Sequence, residues 1–167
     1  GVITAAAGNH AQGVAISAQK LGIRATIVMG LNTPSIKVNA VRDRGAKVVL
    51  HGDNYNEAAL HAKHLCESED LIYIPPYDDV DVIAGQGTIG MEIVNQHSQP
   101  LDAIFIPVGG GGLVAGVAAY VKYLRPETKI IGVEAEGSNC LDAAMKAGRR
   151  VSLPIDKLDW FADGVSV

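Results

Sequence analysis

Short apolar runs alternate along the chain with stretches whose apolar residues recur every three to four positions. The short runs are rich in β-branched residues, and turn residues bound most of them, which is typical of strands buried on both faces of a sheet. The runs are Ala25–Met29, Lys47–Leu50, residues 71–74, residues 103–106 and Lys129–Val133, and residues 1–4 resemble the middle of another strand. Because strand and helix patterns alternate, the sequence predicts an α/β fold with mainly parallel sheets.

The stretches between the runs carry helix signals. Apolar residues from Ala11 to Leu21 follow helical spacing, and Gly22 ends this pattern. Thr33 is the predicted N-cap of the second helix, with Pro34 at its first position. The remaining signals are Gly45, which closes the second helix, and the capping-box spacing of residues 54–57, which opens a third helix that runs through Cys66.

A break in this alternation lies at residues 75–79. Pro75 and Pro76 cannot continue a strand ladder, and the acidic residues after them favour a turn. We therefore predict a boundary here between two lobes, residues 1–75 and residues 76–167.

Composition and charge exclude two classes of partner. The chain has 167 residues, of which 48% are hydrophobic and 19% charged, and its formal net charge is −4. Because the charges of both signs are scattered and form no basic stripe, nucleic acid is not an expected partner. No apolar stretch approaches the ~20 residues that a membrane-spanning helix needs, so no membrane partner is expected either.

The ends and the cysteines bear on where the protein is found. The chain begins without an initiator methionine, within a strand-like run, and it ends without a helix or a polar tail. We therefore expect a segment of a longer protein, truncated at both ends. Cys66 and Cys140 lie far apart and suit reduced thiols in a cytoplasmic compartment. An organellar location stays open, because any targeting segment would lie outside these residues.

The first candidate site is a turn of small residues at residues 5–13. A strand ends there and a helix begins, so backbone N–H groups and the helix dipole point at whatever lies above the turn. Such a turn suits a carboxylate, while the Asn9 amide can donate to a phenolate oxygen and His10 adds another donor. The alternative is an ordinary strand–helix turn with Asn9 as N-cap.

The second candidate site is the run of four glycines at residues 109–112. It follows an apolar strand and precedes a helix, so its N–H groups can form a nest around a phosphate, and a flexible loop is the alternative. The same run also fits Gly-x-Gly-x-x-Ala at Gly110, Gly112 and Ala115, with Glu134 where a dinucleotide-binding acid would stand. A Rossmann domain that binds NAD is therefore a competing prediction.

Both loops belong to a longer pattern that runs through the whole chain. Residues 1–13, GVITAAAGNHAQG, resemble the signature region of the threonine dehydratases, which belong with the serine racemases to the fold-type II enzymes that depend on pyridoxal phosphate (PLP). The resemblance continues in residues 83–88 (IAGQGT), 108–113 (VGGGGL), 133–136 (VEAE) and 162–165 (ADGV). It implies a two-lobed fold like that of the tryptophan synthase β subunit, with αβα layers and mostly parallel sheets.

The resemblance also implies roles for individual residues and domains. Residues 1–75 would be the small mobile domain, and residues 76–167 would be part of the large PLP-binding domain. Asn9 would contact the phenolic oxygen of PLP, and Gly164 would lie beside the cofactor ring. The implied phosphate ligands are Gly109, Gly110, Gly111, Gly112 and Leu113, and the implied ligands of the substrate carboxylate are Ala6, Gly8, Asn9 and His10. We also expect a small amino acid as substrate and a homo-oligomer as the assembly.

The chain departs from the family pattern at the lysine that forms the Schiff base with the cofactor. In the family this lysine stands in a Ser-x-Lys-x-Arg-Gly-Ala context, which no lysine here shares. We place it outside the segment and assign no catalytic residue. The segment alone is therefore expected to be inactive.

Two residues of the first turn bear on the reaction. Ala6 stands where dehydratases usually carry serine, and its N–H is expected to bind a carboxylate without the hydroxyl. Ala7 stands where serine racemases carry a serine that protonates the substrate carbanion, and Val167 also replaces a racemase serine. We therefore predict dehydration and deamination of L-threonine, and of L-serine, to a 2-oxo acid and ammonia, as in isoleucine biosynthesis. Serine racemisation is the alternative.

No metal site is predicted. Glu134 matches a glutamate of the racemases' divalent-metal site, but the second acidic ligand of that site would fall at Cys140. We therefore expect Glu134 to end a strand and orient the cofactor loop. His61 and His64 share a helix face, but no third ligand is evident for zinc.

Overall fold

A computed structural model describes residues 1–154, 158–159, 162 and 164–165 of the chain. Val167, and the Asp163 of the 162–165 block, lie outside the described residues. The chain divides into two compact units, which we call the first unit, Gly1–Pro76, and the second unit, Tyr77–Val167. No described helix is both long and apolar enough to cross a membrane.

Strands and helices alternate in both units. In the first unit the elements are β1 (Val2–Ala5), α1 (Asn9–Leu21), β2 (Ala25–Met29), α2 (Ser35–Arg42), β3 (Lys47–Leu50), α3 (Tyr55–Ser68) and β4 (Ile72–Tyr73). In the second unit they are α4 (Val80–Gln96), β5 (Ala103–Pro107), α5 (Gly112–Leu124), β6 (Lys129–Val133), a short 3-10 helix (Glu136–Ser138) and α6 (Cys140–Ala147).

The first unit is a parallel sheet of four strands between two layers of helices. The strand order is β3-β2-β1-β4, and every neighbouring pair is parallel. One face of β2 packs against α1 and α2, with Ile27 and Met29 in that cluster. The opposite face packs against α3, through Ile3 and Ala5 of β1 and Val28 of β2. The predicted α/β fold with parallel sheets is confirmed.

The chain reverses direction across this sheet between β1 and β4. From β1 the chain steps outward through β2 to β3, and α3 then carries it across to the other side of β1. In open α/β sheets, ligands bind beyond the carboxyl ends of the strands at such a switch point. The turn predicted to bind a carboxylate follows β1 directly, so the topology puts this turn at the switch point of the first unit.

Helix caps agree with the sequence in α3 and differ in α2. The Asn54 side chain accepts the Glu57 N–H at 3.0 Å, and the Glu57 carboxylate accepts the Asp53 N–H at 2.9 Å. The predicted N-cap is therefore confirmed, but the reciprocal bond differs from that of a capping box, because Glu57 accepts from the Asp53 N–H and the Asn54 side-chain amide rather than from the Asn54 N–H. Thr33 is not the N-cap of α2. Pro34 takes that position, with ψ at 138°, because its carbonyl accepts the first helical hydrogen bond.

The second unit contains a pair of parallel strands and three helices. β5 pairs with β6 from Ala103 opposite Lys129 to Pro107 opposite Val133. The helices α4 and α5 cross closely at Gly116, where a Cβ would overlap the backbone of Ile83 and Gly87. Small residues at this crossing let the two helix backbones approach each other.

Burial on both faces was predicted for all of these strands, and it holds fully only for β2, whose five residues are all buried. β3 is an edge strand of its sheet, so its ends are exposed. In the second unit, Ile106 of β5 packs with α5 in the core, whereas Phe105 is 67% exposed. Alternate side chains of a strand face opposite sides, and among the described residues the side that holds Phe105 is open.

Candidate functional site

The first loop, residues 6–10, leaves the carboxyl end of β1 and enters α1. The Ala6 N–H donates to the Val28 carbonyl at 3.1 Å and so continues the strand ladder. This differs from the expectation that the Ala6 N–H binds a carboxylate, because that group already has an acceptor. Gly8, and not Asn9, is the N-cap residue, and α1 begins at Asn9. The alternative that made Asn9 the N-cap is wrong.

Backbone donors are concentrated just past Ala6. Among the described residues, the N–H groups of residues 7–11 have no hydrogen-bond acceptor, and the first helical bond joins the Gln12 N–H to the Gly8 carbonyl. Gly8 and Asn9 are exposed, while Ala7 and His10 are half-buried. The loop therefore presents unused donors at the positive end of the α1 dipole, beside solvent.

His10 ties the first loop to the sheet. Its Nε2 lies 3.1 Å from Thr4 Oγ1 and 3.3 Å from the Ile74 carbonyl oxygen, so it bridges the carboxyl ends of β1 and β4. Burial lowers the pKa of His10, and the bond to Ile74 opposes this in part. Since a carbonyl only accepts, Nε2 carries the proton, and the neutral ring has no second N–H to donate. The donor that His10 offers an anion is its backbone N–H.

The glycine loop, residues 109–113, leaves the carboxyl end of β5 and enters α5. Val108 still belongs to the ladder, since its N–H donates to the Val133 carbonyl at 2.9 Å. Among the described residues, the N–H groups of residues 109–114 have no hydrogen-bond acceptor. Gly111 is the N-cap of α5 with φ at 87°, a left-handed conformation that favours glycine.

The donor set of this loop fits a phosphate group. It consists of consecutive backbone N–H groups at a helix N-terminus, and no atom of the described residues lies within 4 Å of where a Cβ of Gly111 would stand. Neither α5 nor α1 has an acidic residue in its first turn, whereas α3, α4 and α6 each have one. An anion at either loop would therefore meet no like charge from that turn.

The other glycines are explained by packing rather than by open space. A Cβ on Gly110 would overlap the ring of Tyr77, and a Cβ on Gly112 would lie 2.8 Å from the Tyr77 carbonyl oxygen. A Cβ on Gly109 would lie 3.0 Å from Val165 Cα. A side chain at Gly110 would therefore meet Tyr77, which occupies the side to which its Cβ would point.

Gly164 comes close to the glycine loop through its neighbour. It is exposed, and nothing lies within 4 Å of where its Cβ would stand, while the adjacent Val165 contacts Gly109. The structure thus brings together the predicted residues of the second unit, Gly109–Leu113 and Gly164. Tyr77 was missed by the sequence analysis. Its only sequence signal is an aromatic residue directly after the Pro75–Pro76 break.

Glu134 follows β6 and caps another helix. Its two carboxylate oxygens accept the Leu141 N–H at 2.8 Å and the Asp142 N–H at 2.9 Å, at the start of α6. A dinucleotide-binding acid must instead be free to accept from a ribose hydroxyl. The NAD-binding alternative therefore fails at this residue. Burial raises the pKa of Cys140, and the nearby Glu134 carboxylate raises it further.

A third histidine lies beside the pair on α3. The ring of His51, which follows β3, stacks on the ring of His61 with their centroids 3.8 Å apart. The ring centroid of His64 lies 6.3 Å from that of His61. The sequence analysis missed His51 as a neighbour, because it is distant along the chain. Among the residues that the structure describes, no group of three or more His, Cys, Asp or Glu side chains is arranged to hold a metal ion.

Comparisons with known proteins agree on a family. Residues 1–167 match the family described as pyridoxal-phosphate dependent enzyme. Over 167 residues, the chain is 58% identical to a biosynthetic L-threonine dehydratase of Pasteurella multocida and 59% identical to a biosynthetic, chloroplastic threonine dehydratase of Arabidopsis thaliana. All of this chain is covered in both cases, but only 32% and 28% of the relatives, so the chain spans about a third of their length.

Solved structures give the same assignment. The processed form of threonine deaminase isoform 2 from Solanum lycopersicum has a TM-score of 0.93 and 54% sequence identity, and the match covers 100% of this chain and 48% of that one. Maize serine racemase has a TM-score of 0.89 and 32% identity, with 100% of this chain and 50% of that one covered.

Proposed function

Since the chain belongs to the family of pyridoxal-phosphate dependent enzymes, we propose that the protein that carries it eliminates water from L-threonine, and that water then hydrolyses the released enamine or imine to set ammonia free. The products are a 2-oxo acid and ammonia, and L-serine is a second substrate. The observation that carries this proposal is the identity of 58–59% with two proteins named as threonine dehydratases, sustained along all 167 residues. When bound, the cofactor supplies an electron sink that lets the α-proton of an amino acid leave.

The glycine loop is the proposed phosphate anchor. Its N–H groups lie at the N-terminus of α5 and have no acceptor in the described part of the chain, and such donors bind a phosphate with help from the helix dipole. Since Tyr77 and Val165 pack against the loop, we expect little further ordering of these groups on binding. Asn9 is proposed to donate its side-chain amide to the phenolic oxygen of the cofactor, and Gly164 to leave room beside the ring.

The first loop is the proposed clamp for the substrate carboxylate. The N–H groups of Gly8, Asn9 and His10 are its donors, and Ala6 contributes through its small side chain because its N–H is already bonded. Binding the carboxylate there would orient the amino acid and exclude water from one side of it. The bond from His10 Nε2 to the Ile74 carbonyl holds this loop against the sheet while the carboxylate binds.

Ala7 favours elimination over racemisation. Its side chain is a methyl group, which cannot give a proton to the second face of a substrate carbanion. Serine racemase remains the second candidate, because maize serine racemase matches the whole chain at a TM-score of 0.89. The match to tomato threonine deaminase is stronger in both TM-score and identity.

The wider organisation of the protein is also a proposal. We assign the small mobile domain to residues 1–75 and part of the large PLP-binding domain to residues 76–167, which would put the carboxylate clamp and the phosphate anchor in different domains. A homo-oligomeric assembly and a cytoplasmic location stay predictions from the family resemblance and the composition.

The test is product analysis with the whole protein and added PLP. We expect L-threonine and L-serine to yield a 2-oxo acid and ammonia far faster than L-serine yields D-serine, as followed by a coupled assay and by chiral chromatography. The variant Ala7→Ser is the matched probe, since it supplies the missing hydroxyl and should raise the share of D-serine. Racemisation as the dominant flux of the unmodified protein would overturn the proposal.

A further inference from the structure

Tyr77 lies directly against the glycine loop. Its ring occupies the side of Gly110 where a Cβ would point, and its backbone lies along Gly112, with the Tyr77 carbonyl oxygen 2.8 Å and Cα 3.0 Å from where a Cβ of Gly112 would stand. The residue is half-buried, and it is the first residue of the second unit.

Contact with Tyr77 accounts for two of the four glycines. Any side chain at Gly110 or Gly112 would push the tyrosine away, whereas Gly111 is required by its left-handed backbone, with φ at 87°. Gly109 in turn lies against Val165. Three constraints thus account for the four glycines, and contact with Tyr77 accounts for two of them.

Four glycines in a row would move freely without such a support, because glycine has more backbone freedom than any other residue. An unsupported loop would have to be ordered each time a phosphate binds, and that ordering weakens affinity. A flat aromatic ring suits this task, since it has few rotatable bonds and makes a broad contact with bare backbone.

We propose that Tyr77 is the positioning residue of the glycine loop. Its ring and backbone hold Gly110 and Gly112 so that the loop N–H groups stay directed at the phosphate of the cofactor. Tyr77 itself does not contact the phosphate in this account. The inference rests on the proposed function, because it takes the glycine loop to be the phosphate anchor.

The test compares a ligand that has the phosphate with one that lacks it. The whole protein and its variants Tyr77→Ala, Tyr77→Leu and Tyr77→Phe are first freed of cofactor. The dissociation constants of PLP and of pyridoxal are then measured for each protein by absorbance titration. Tyr77→Ala should weaken PLP binding by about tenfold, the scale of one charge-assisted hydrogen bond, and leave pyridoxal binding unchanged. Tyr77→Phe keeps the ring and should bind both ligands as the unmodified protein does.

Controls separate this inference from general damage. Tyr123 is 85% exposed on α5, so Tyr123→Ala should change neither constant. If circular dichroism shows that Tyr77→Ala does not fold, Tyr77→Leu is compared with the unmodified protein instead, because leucine retains bulk without a flat ring. A preference for PLP over pyridoxal that stays unchanged in these variants would overturn the role of Tyr77. If the unmodified protein shows no such preference, the phosphate anchor itself is wrong.

Discussion

The first loop and the glycine loop share a local plan but differ in what packs around them. Each follows a parallel strand and opens a helix of 13 residues with unused N–H groups in its first turn. Around the first loop, Gly8 is exposed and nothing lies within 4 Å of where its Cβ would stand. Around the glycine loop, Tyr77 lies against Gly110 and Gly112, and Val165 lies against Gly109.

This difference shows that a strand–helix junction can present N–H donors in two ways. The first loop uses mainly residues with side chains, and the His10 side chain and the Ala6 N–H fasten it to the sheet. The glycine loop uses bare backbone that is held by what packs on it. We expect the first arrangement to tolerate small substitutions and the second to tolerate none.

The largest effect is expected from a matched pair of glycine substitutions. Gly110→Ala places a Cβ in the ring of Tyr77, and overpacking of this kind costs about 1–3 kcal/mol of stability. Gly8→Ala meets open space at an ordinary φ of −108°, and should change stability by under ~0.5 kcal/mol. Thermal unfolding of the whole protein, followed by scanning calorimetry, measures both. Equal losses in the two variants would show that the loops do not differ in packing.

The sequence was enough to predict the six strands, the first three helices and the helix that follows the glycine run. Apolar runs with β-branched residues identified β2, β3 and β6 at their observed bounds, and the capping-box spacing identified the start of α3. These features depend on residues that are neighbours along the chain, whose spacing carries the information directly.

The contacts that distinguish the two loops could not be predicted in this way. Three such contacts join residues that are distant in sequence. Tyr77 contacts Gly110, and His51 stacks on His61. The Ala6 N–H donates to a carbonyl of β2. Burial was also overestimated for β5, since a hydrophobic run does not reveal whether a layer covers each face. That the predicted site residues bind the cofactor or the substrate remains a prediction.

A smaller effect is expected from pH, because His10 titrates and tethers the first loop. Burial lowers the pKa of His10 below its ordinary 6.5, so the unfolded chain takes up the proton more readily than the folded one. This contribution to stability is therefore complete above pH 6.5 and is lost as pH falls through 6.5 toward the folded pKa. Neither hydrogen-bond partner of Nε2, the Thr4 hydroxyl or the Ile74 carbonyl, is ionised at these pH values.

Melting temperatures between about pH 7.5 and pH 5.5 measure this effect. The unmodified protein should melt at a lower temperature in the acidic range, and His10→Gln should flatten that dependence. The pKa of His61 is also lowered by its surroundings, so some dependence should persist in the variant. An unchanged pH profile in His10→Gln would show that the tether does not act through titration. His97→Gln, on the exposed end of α4, is the control.

The proposal that involves both loops is that they take different anions, the cofactor phosphate at the glycine loop and the substrate carboxylate at the first loop. Millisecond amide hydrogen exchange of the whole protein, read by mass spectrometry, tests it directly. PLP alone should slow exchange strongly in peptides that contain residues 109–113, and far less in residues 7–11, where only the Asn9 side chain is proposed to contact the cofactor. Added L-2-aminobutyrate, which lacks a β-hydroxyl to eliminate, should then slow exchange at residues 7–11. Slowing at residues 7–11 by PLP alone, without slowing at residues 109–113, would contradict the claim.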